Sequence, residues 1–397
     1  MKVRAQWLWV IRMSNLKELD KKYIANTYNR FNLNIVKANG SLVYDENGKE
    51  YIDLGSGIGV TAFGFNDEAY KNAITEQLNL YQHTSNLYYT EPCVKLAELL
   101  CNKTGFKKVF FSNSGAESNE CAIKVARKYA AEKRGSNCYK IITLINSFHG
   151  RTITTLAATG QDVFHKDFLP LTDGFINLPA NDFESIKAQN KDEIAAIMLE
   201  TIQGEGGVNP LNQEYLSAVY DYCNKNDILL IVDEVQTGNG RTGKLYSYEH
   251  FNIMPDIVST AKGLGGGLPI GATLLGEKVE NVLGFSDHGS TFGANPVCAA
   301  AALSIMSRID KALLQEVNKK SEYIFNALKN CDGVLSLSGK GLMIGIETKK
   351  DAKIIVSELL EKGVLCLTAK TKLRLLPALN IPFKDLEKAI EIIKTCL

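Results

Sequence analysis

The stretch LLIVDEVQTGNGRTG, residues 229–243, decides the fold of this chain. It begins with an apolar run, continues with Asp233 and Glu234, and ends in a glycine-rich turn. An apolar run of this kind is typical of a strand buried on both faces, and α/β sheets build their sites at the carboxyl ends of such strands. A second β-type run, DIVSTAKGLGGGLPIGA, reaches Lys262 and then a group of glycines. The two strand ends therefore place a carboxylate and an amine where a site is expected.

Asp233 and Lys262 also have ordinary structural explanations. Strand-end acids in α/β proteins often cap helices, and a lysine before a glycine is usually solvated, so either residue alone is a weak signal. Together they match what pyridoxal phosphate requires. This cofactor needs an anion beside its pyridine nitrogen and an amine that forms an imine with its aldehyde.

Composition excludes several classes of protein. The 397 residues are 45% hydrophobic and 22% charged, with a formal net charge of +1. This balance gives no electrostatic footprint for nucleic acid or an anionic membrane, so neither is expected as a partner. The nine cysteines form no C-x-x-C pair, which predicts reduced thiols in a cytoplasmic protein and no metal site. No segment approaches the length of a membrane span.

Strand and helix patterns alternate through most of the chain. Residues 41–57 predict a hairpin around Asn47-Gly48, and residues 67–82 predict a helix. Helical patterns also occur at 117–133 and 214–225. Candidate strands follow in chain order at 108–113, 140–145, 175–178, 195–200, 229–233, 257–261 and 272–275. This alternation predicts an α/β fold with a mostly parallel, seven-stranded sheet covered on both faces.

The two ends of the chain are expected to form a second, smaller α+β domain. Residues 1–65 and 290–397 would supply it, and residues 66–289 would form the large cofactor-binding domain. A long alanine-rich helix is predicted at about 296–309. At the start of the chain, the apolar patch 7–11 is too short for the core of a signal peptide. We expect Met13 to be an alternative start.

Two motifs contain groups that could bind a cofactor. VFFSNSGAESNE reads as a strand, a turn and a helix, and the amides of Gly115 and Ala116 at the helix start favour an anion such as a phosphate. An ordinary helix cap is the simpler alternative. In SFHGRT, Phe148 could stack on a flat ring and Arg151 could bind a carboxylate through two hydrogen bonds.

Two further motifs contain isolated charges. LETIQGEGG places Glu200 at a strand end and Glu205 in a glycine loop, and KLRLLPAL places Arg374 inside an apolar run. Unpaired burial of a charge is costly, so Arg374 is expected to face a polar site. The spacing does not show which acid pairs with it.

Taken together, these motifs resemble the class III, fold-type-I pyridoxal-phosphate aminotransferases. The motifs that carry the resemblance are SNSGAESNE, SFHGRT, IQGEGG, LLIVDEVQTGNGRTGK, STAKGLGGGLPIGA, HGSTFGANPV and LRLLPAL. They occur in the family's order from about residue 28 to the end. The resemblance implies bound pyridoxal phosphate, an amino donor and 2-oxoglutarate or glutamate as substrates, and a homodimer with shared active sites.

The resemblance also implies roles at the cofactor. Lys262 would form the imine with the aldehyde and then move the proton, while Asp233 would pair with the pyridine nitrogen. The other implied cofactor contacts are Gly115 and Ala116 at the phosphate, Phe148 on the ring face, Gln236 near the phenolic oxygen and Thr291 at the phosphate of the neighbouring subunit.

At the substrate, the resemblance implies that Arg151 binds a carboxylate and that Ser290 lies beside it. Glu205 and Arg374 would pair while the amino donor is bound and separate when 2-oxoglutarate arrives. Tyr28 falls at the family's substrate mouth, although a core tyrosine explains it nearly as well. Glu200 completes the implied set of substrate residues.

The expected reaction moves the δ-amino group of N-acetylornithine to 2-oxoglutarate, as in arginine biosynthesis. Ornithine enzymes usually carry an aromatic residue where this chain has Ile58, which speaks against free ornithine. The segments TYNRFNLNI and AFGFND depart from the family pattern and leave the acyl group open. Succinylornithine, 4-aminobutyrate and ornithine therefore remain alternatives, as do an aminomutase and a catalytically silent cofactor-binding protein.

Overall fold

The computed structural model describes residues 16–397, so the patch 7–11 and the alternative start Met13 lie outside the described residues. The helices are α1 Leu16–Tyr23, α2 Glu68–Leu80, α3 Glu91–Thr104, α4 Gly115–Arg134, α5 Ile153–Ala158, α6 Phe183–Lys187, α7 Gln213–Asn226, α8 Pro296–Arg308, α9 Lys311–Leu328, α10 Ala352–Glu361 and α11 Phe383–Lys394. The strands are β1 Ile35–Asn39, β2 Leu42–Asp45, β3 Glu50–Asp53, β4 Lys108–Ser112, β5 Lys140–Leu144, β6 Phe175–Leu178, β7 Ile194–Leu199, β8 Ile202–Gln203, β9 Asn209–Pro210, β10 Leu229–Asp233, β11 Ile257–Thr260, β12 Gly271–Leu275, β13 Val334–Lys340, β14 Met343–Thr348, β15 Val364–Leu365, β16 Leu367–Ala369 and β17 Lys372–Leu375.

The largest sheet has seven strands in the order β4-β12-β11-β10-β7-β5-β6. Only β12 runs antiparallel to its neighbours β11 and β4, and the other pairs are parallel. The predicted strands agree with these seven to within one or two residues at each end. The predicted mostly parallel sheet is therefore confirmed.

Strand β10 lies in the middle of this sheet and is buried along its whole length. Its alternate side chains belong to two different apolar clusters. Leu229 and Ile231 pack with residues of α4, whereas Leu230 and Val232 pack with residues of α7. Helices cover both faces of the sheet, which explains why the strand is apolar without alternation.

Besides the large sheet, the described residues form two four-stranded sheets and a two-stranded sheet, β8-β9. One four-stranded sheet has the order β1-β2-β3-β15 and the other β13-β14-β17-β16. Strand β15 pairs in parallel with β3, with Val364 opposite Ile52. The N- and C-terminal segments therefore share a sheet, as expected for the smaller domain. The boundaries at 65/66 and 289/290 stay a prediction.

Several helices were not singled out from the sequence, among them α3 and α9. Helix α3 packs against the alanine-rich helix α8, and α9 contacts the last helix, α11. Within residues 16–397, no helix combines the length and apolarity needed to cross a bilayer. All nine cysteines are free thiols.

The core position of β10 leads to a stability prediction. Ile231→Ala removes a fully buried side chain, whereas Ile354→Ala changes a side chain of α10 that is 51% exposed. The first change should lower the free energy of unfolding by about 2–5 kcal/mol, and the control by less than about 0.5 kcal/mol. Urea unfolding of both variants measures this difference, and equal losses would contradict the placement of Ile231.

Candidate active site

A cavity of about 460 Å³ opens at the carboxyl ends of the parallel strands. It lies at the edge where α/β sheets bind ligands. Eight of the thirteen residues singled out in the sequence line it: Gly115, Ala116, Phe148, Arg151, Glu200, Asp233, Gln236 and Lys262. These residues follow five different strands, and the parallel arrangement brings them together.

Asp233 ends strand β10 and is only 3% exposed. Its Oδ1 accepts the Val235 amide at 2.9 Å. Its Oδ2 lies 2.8 Å from His149 Nδ1 and accepts the amide nitrogen of Asn119 at 2.7 Å. A buried carboxylate is tolerated only with such partners. The charge is thus held at the cavity wall.

His149 and Asn119 have no role predicted from the sequence. Both stand inside motifs that were singled out, SFHGRT and SNSGAESNE. Both are buried, at 2% and 1% exposure, on elements that flank β10. A polar residue on the buried face of helix α4 was the available signal for Asn119.

Lys262 lies two residues after the end of β11, lines the cavity and is partly exposed. Its φ of +45° places it in the left-handed region, which is uncommon for a lysine and marks a constrained turn. Desolvation by the surrounding protein lowers the pKa of its amine, and the carboxylates of Glu205 and Asp233 oppose this shift. The fold therefore favours the neutral amine.

The start of helix α4 offers an anion site. Ser114 caps the helix by accepting the Glu117 amide at 3.2 Å, so the simpler cap interpretation is realised as well. The amides of Gly115 and Ala116 nevertheless line the cavity at the positive end of a 20-residue helix. A Cβ on Gly115 would lie 2.6 Å from Val235 Cγ1. Glycine is required here for this close approach.

Glu200 is a buried acid at the end of β7. It accepts the Phe148 amide at 3.0 Å and the Gly204 amide at 3.2 Å. Burial raises its pKa to about 7, while its two amide partners and His149 favour the charged form. Glu200 thus fixes the loop that carries Phe148 in the cavity wall.

Glu205 and Arg374 form an ion pair at 2.6 Å beside the cavity. Arg374 is 3% exposed on β17, and Glu205 lies in the turn between β8 and β9. Gln236 links them, since its amide nitrogen donates to Glu205 at 3.2 Å and its oxygen accepts from Arg374 at 3.1 Å. Burial opposes the charge of Glu205, but Arg374 outweighs it and the pKa of Glu205 is lowered.

Arg151 stands at the exposed rim of the cavity. Its guanidinium carbon lies 4.0 Å from the ring centre of Phe164 and 5.4 Å from that of Phe148. Such stacking orients a guanidinium while leaving its edge free for a carboxylate. Phe164 was missed in the sequence because nothing local connects it to Arg151.

Three predicted residues lie away from the cavity of this chain. Thr291 is exposed, and Ser290, which does not line the cavity, accepts a hydrogen bond from Asn113 at 3.0 Å. Tyr28 is 71% exposed beside Arg30. Their predicted roles stay predictions. Ile58, used above against ornithine, lines a separate cavity of about 350 Å³.

Comparison with known proteins identifies the class of this fold and site. The family model for class III aminotransferases matches residues 23–397. The chain belongs to the class III aminotransferases. It is therefore a pyridoxal-phosphate-dependent transaminase that acts on an amino donor and a keto acid.

Three of the similar proteins have named activities. The acetylornithine aminotransferase of Haemophilus ducreyi is 51% identical over 96% of this chain and 98% of the relative. The solved N-acetylornithine aminotransferase of Stenotrophomonas maltophilia is 33% identical with a TM-score of 0.83, covering 96% and 97% of the two chains. The ornithine aminotransferase of Toxoplasma gondii, crystallised with partial occupancy of PLP at its active site, is 29% identical with a TM-score of 0.91, covering 96% and 94%.

The residues of the cavity fit pyridoxal phosphate. The structure supplies a carboxylate at Asp233, an amine of lowered pKa at Lys262 and a helix start at Gly115. His149 Nε2 and Asn119 Oδ1 are buried atoms of cavity-lining residues and have no partner within the described part of the chain. These donor and acceptor types match a phosphate, a pyridinium nitrogen and an aldehyde.

The lowered pKa of Lys262 leads to a pH prediction for the cofactor-free protein. The folded state disfavours the charged amine, so the wild type loses stability at low pH and recovers it as the pH rises through the unfolded value of 10.5. Lys262→Met removes this term. The thermal midpoint of the variant relative to wild type should therefore be higher at about pH 7 than at pH 10.5. Circular dichroism melts at both pH values measure it, and a constant difference would contradict the lowered pKa.

Proposed function

We propose that this enzyme moves the δ-amino group of N-acetylornithine to 2-oxoglutarate, giving N-acetylglutamate semialdehyde and glutamate, as a step of arginine biosynthesis. One observation supports it most. Arg374 is paired with Glu205 beside a cavity that already contains Asp233 and Lys262. A donor with one α-carboxylate and a dicarboxylate acceptor need a site that can change its charge between them.

The chain's own residues support each step of such a reaction. Pyridoxal phosphate, when bound, supplies an electron sink for the charge that forms at the carbon bearing the amine. Asp233, buried and held by three donors, would keep the proton on the ring nitrogen. Lys262 would take up and return the proton through Nζ, which requires the neutral amine that its lowered pKa favours.

The two arginines would divide the substrate carboxylates between them. Arg151 stands at the exposed rim, where it would bind the substrate carboxylate that lies far from the reacting carbon, and its stacking on Phe164 presents a planar fork. Arg374 would bind the α-carboxylate of 2-oxoglutarate, beside the reacting carbonyl group. Arg374 is held by Glu205 and is released only when that acid turns away. Glu205 is 30% exposed, so it has room to turn, whereas Arg374 is fixed within β17.

The choice of substrate rests on sequence relatives. Acetylornithine enzymes reach 51% identity with this chain, whereas the ornithine enzyme compared is 29% identical. Overall shape does not separate them, since the ornithine enzyme has the higher TM-score, 0.91 against 0.83. An aminomutase would use no dicarboxylate acceptor, so the Glu205–Arg374 ion pair would have no role in its reaction.

The proposal includes a homodimer with shared active sites, in the cytoplasm. Large apolar side chains of the segments 87–89 and 285–292 are strongly exposed: Leu87 at 87%, Tyr89 at 100%, Phe285 at 106% and Phe292 at 58%. Leu87 lines the same surface cavity as Ser290 and Thr291. A large exposed apolar patch marks an interaction site, and a second copy of the chain would cover it. Thr291 would then face the phosphate site of the partner.

The substrate proposal leads to a direct assay. Purified enzyme with bound cofactor should show a kcat/KM for N-acetylornithine at least about tenfold above those for ornithine, succinylornithine and 4-aminobutyrate. Steady-state rates with 2-oxoglutarate as acceptor measure this preference. A higher kcat/KM for ornithine would contradict the substrate, and turnover without 2-oxoglutarate would favour an aminomutase. Lys262→Ala serves as the control, since it should lose the visible cofactor band and turnover together.

The Glu205–Arg374 pair leads to a second kinetic prediction. Glu205→Gln removes the negative charge that competes with the acceptor for Arg374, so the KM for 2-oxoglutarate should fall by about fivefold. The matched control is Glu387→Gln, an exposed carboxyl group on α11, which should leave this KM within about twofold of wild type. A KM that rises in the first variant would show that Glu205 does not compete with the acceptor.

A further inference from the structure

We infer that Asn119 is a positioning residue that turns Asp233 so that its Oδ1, and not its Oδ2, is presented to the ring nitrogen of the cofactor. This inference rests on the proposed function, because it assumes that Asp233 meets that nitrogen. Asn119 lies on helix α4 and donates a hydrogen bond to Asp233 Oδ2.

The orientation of the Asn119 amide is fixed by its two acceptors. Its nitrogen donates to Asp233 Oδ2 at 2.7 Å and to the backbone oxygen of His149 at 2.8 Å. Each bond uses one of its two hydrogens. A flipped amide would place its oxygen against two acceptors, so only one orientation satisfies the site.

The remaining hydrogen-bonding capacity of Asp233 then lies on one oxygen. Oδ2 already accepts from Asn119 and faces His149 Nδ1 at 2.8 Å, which uses both of its lone-pair directions. Oδ1 accepts only the Val235 amide and keeps one direction open. A pyridine N–H would therefore find its acceptor at Oδ1.

Helix α4 also carries the anion site. Gly115 and Asn119 are four residues apart, which places them about one turn apart on the same side of the helix. One rigid element thus sets the distance between the proposed phosphate site and the anchored carboxylate. A cofactor bound through both its phosphate and its ring nitrogen would span these two points, so a loosely held carboxylate would weaken its binding even with the phosphate site intact.

The experiment compares Asn119→Leu, Asn119→Asp and a control, Cys121→Ala. Cys121 is a buried residue of the same helix that packs in the apolar cluster and has no contact with Asp233. Equilibrium dialysis of the cofactor-free proteins gives the dissociation constant for pyridoxal phosphate. The visible absorption band of the bound cofactor, followed against pH, gives a second readout, and melts of the cofactor-free proteins report folding.

Asn119→Leu should raise the dissociation constant about tenfold, since it removes a hydrogen bond to a charged group. It should also move the pH midpoint of the visible band by about half a unit. The reason is that a ring nitrogen with a less well-positioned carboxylate partner holds its proton less strongly. Asn119→Asp keeps the shape but places a second carboxyl group beside Asp233. Its loss of affinity should therefore deepen as the pH rises and that group ionises. The control should stay within about twofold of wild type.

Dissociation constants within about twofold of wild type in both Asn119 variants, together with an unshifted pH midpoint of the visible band in Asn119→Leu, would overturn the inference. If Asn119→Leu does not fold, Asn119→Asp decides alone, and an affinity loss that does not change with pH would count against positioning. A wild-type protein that binds no pyridoxal phosphate would instead overturn the proposed function.

Discussion

The structure depends on keeping one negative charge inside the protein. Asp233 ends the central strand of the large sheet, where an unpaired carboxylate would be strongly unfavourable. Its three donors come from three elements: the turn after β10, the loop after β5 and helix α4. Pairing this charge therefore requires the sheet and its covering helix to be correctly placed relative to each other. The same hydrogen bonds to this carboxylate therefore stabilise the fold and shape the site.

The site also joins the C-terminal part of the chain to its middle. Arg374 reaches Glu205 from β17, and the buried Arg241 donates to the backbone oxygens of Leu342 and Pro377. Arg241 has no carboxylate partner among the contacts of the described residues, and carbonyl groups hold it instead. The glycine turn that follows Asp233 is thereby tied to the C-terminal sheet. A structural change in the glycine turn or in the C-terminal sheet will therefore affect the other.

Much of this arrangement was predictable from the sequence because it rests on local patterns. The seven strands were visible as short apolar runs, and Asp233 and Lys262 stood at strand ends, where parallel topology brings side chains together. Asn119, His149 and Phe164 were not predicted, since their roles depend on which side chains meet after folding. The predicted roles of Ser290 and Thr291 involve a second copy of the chain, so local patterns in one chain do not determine them. The acyl group of the donor was not predictable, because the segments TYNRFNLNI and AFGFND depart from the family pattern.

The pairing of β15 with β3 has a consequence for synthesis of the protein. Val364 lies opposite Ile52, so an edge of the N-terminal hairpin is left open until more than three hundred further residues have left the ribosome. An unpaired strand edge is a template for association with other chains, and contacts this distant in sequence form slowly. The newborn chain must therefore protect this edge, or have it protected, throughout translation.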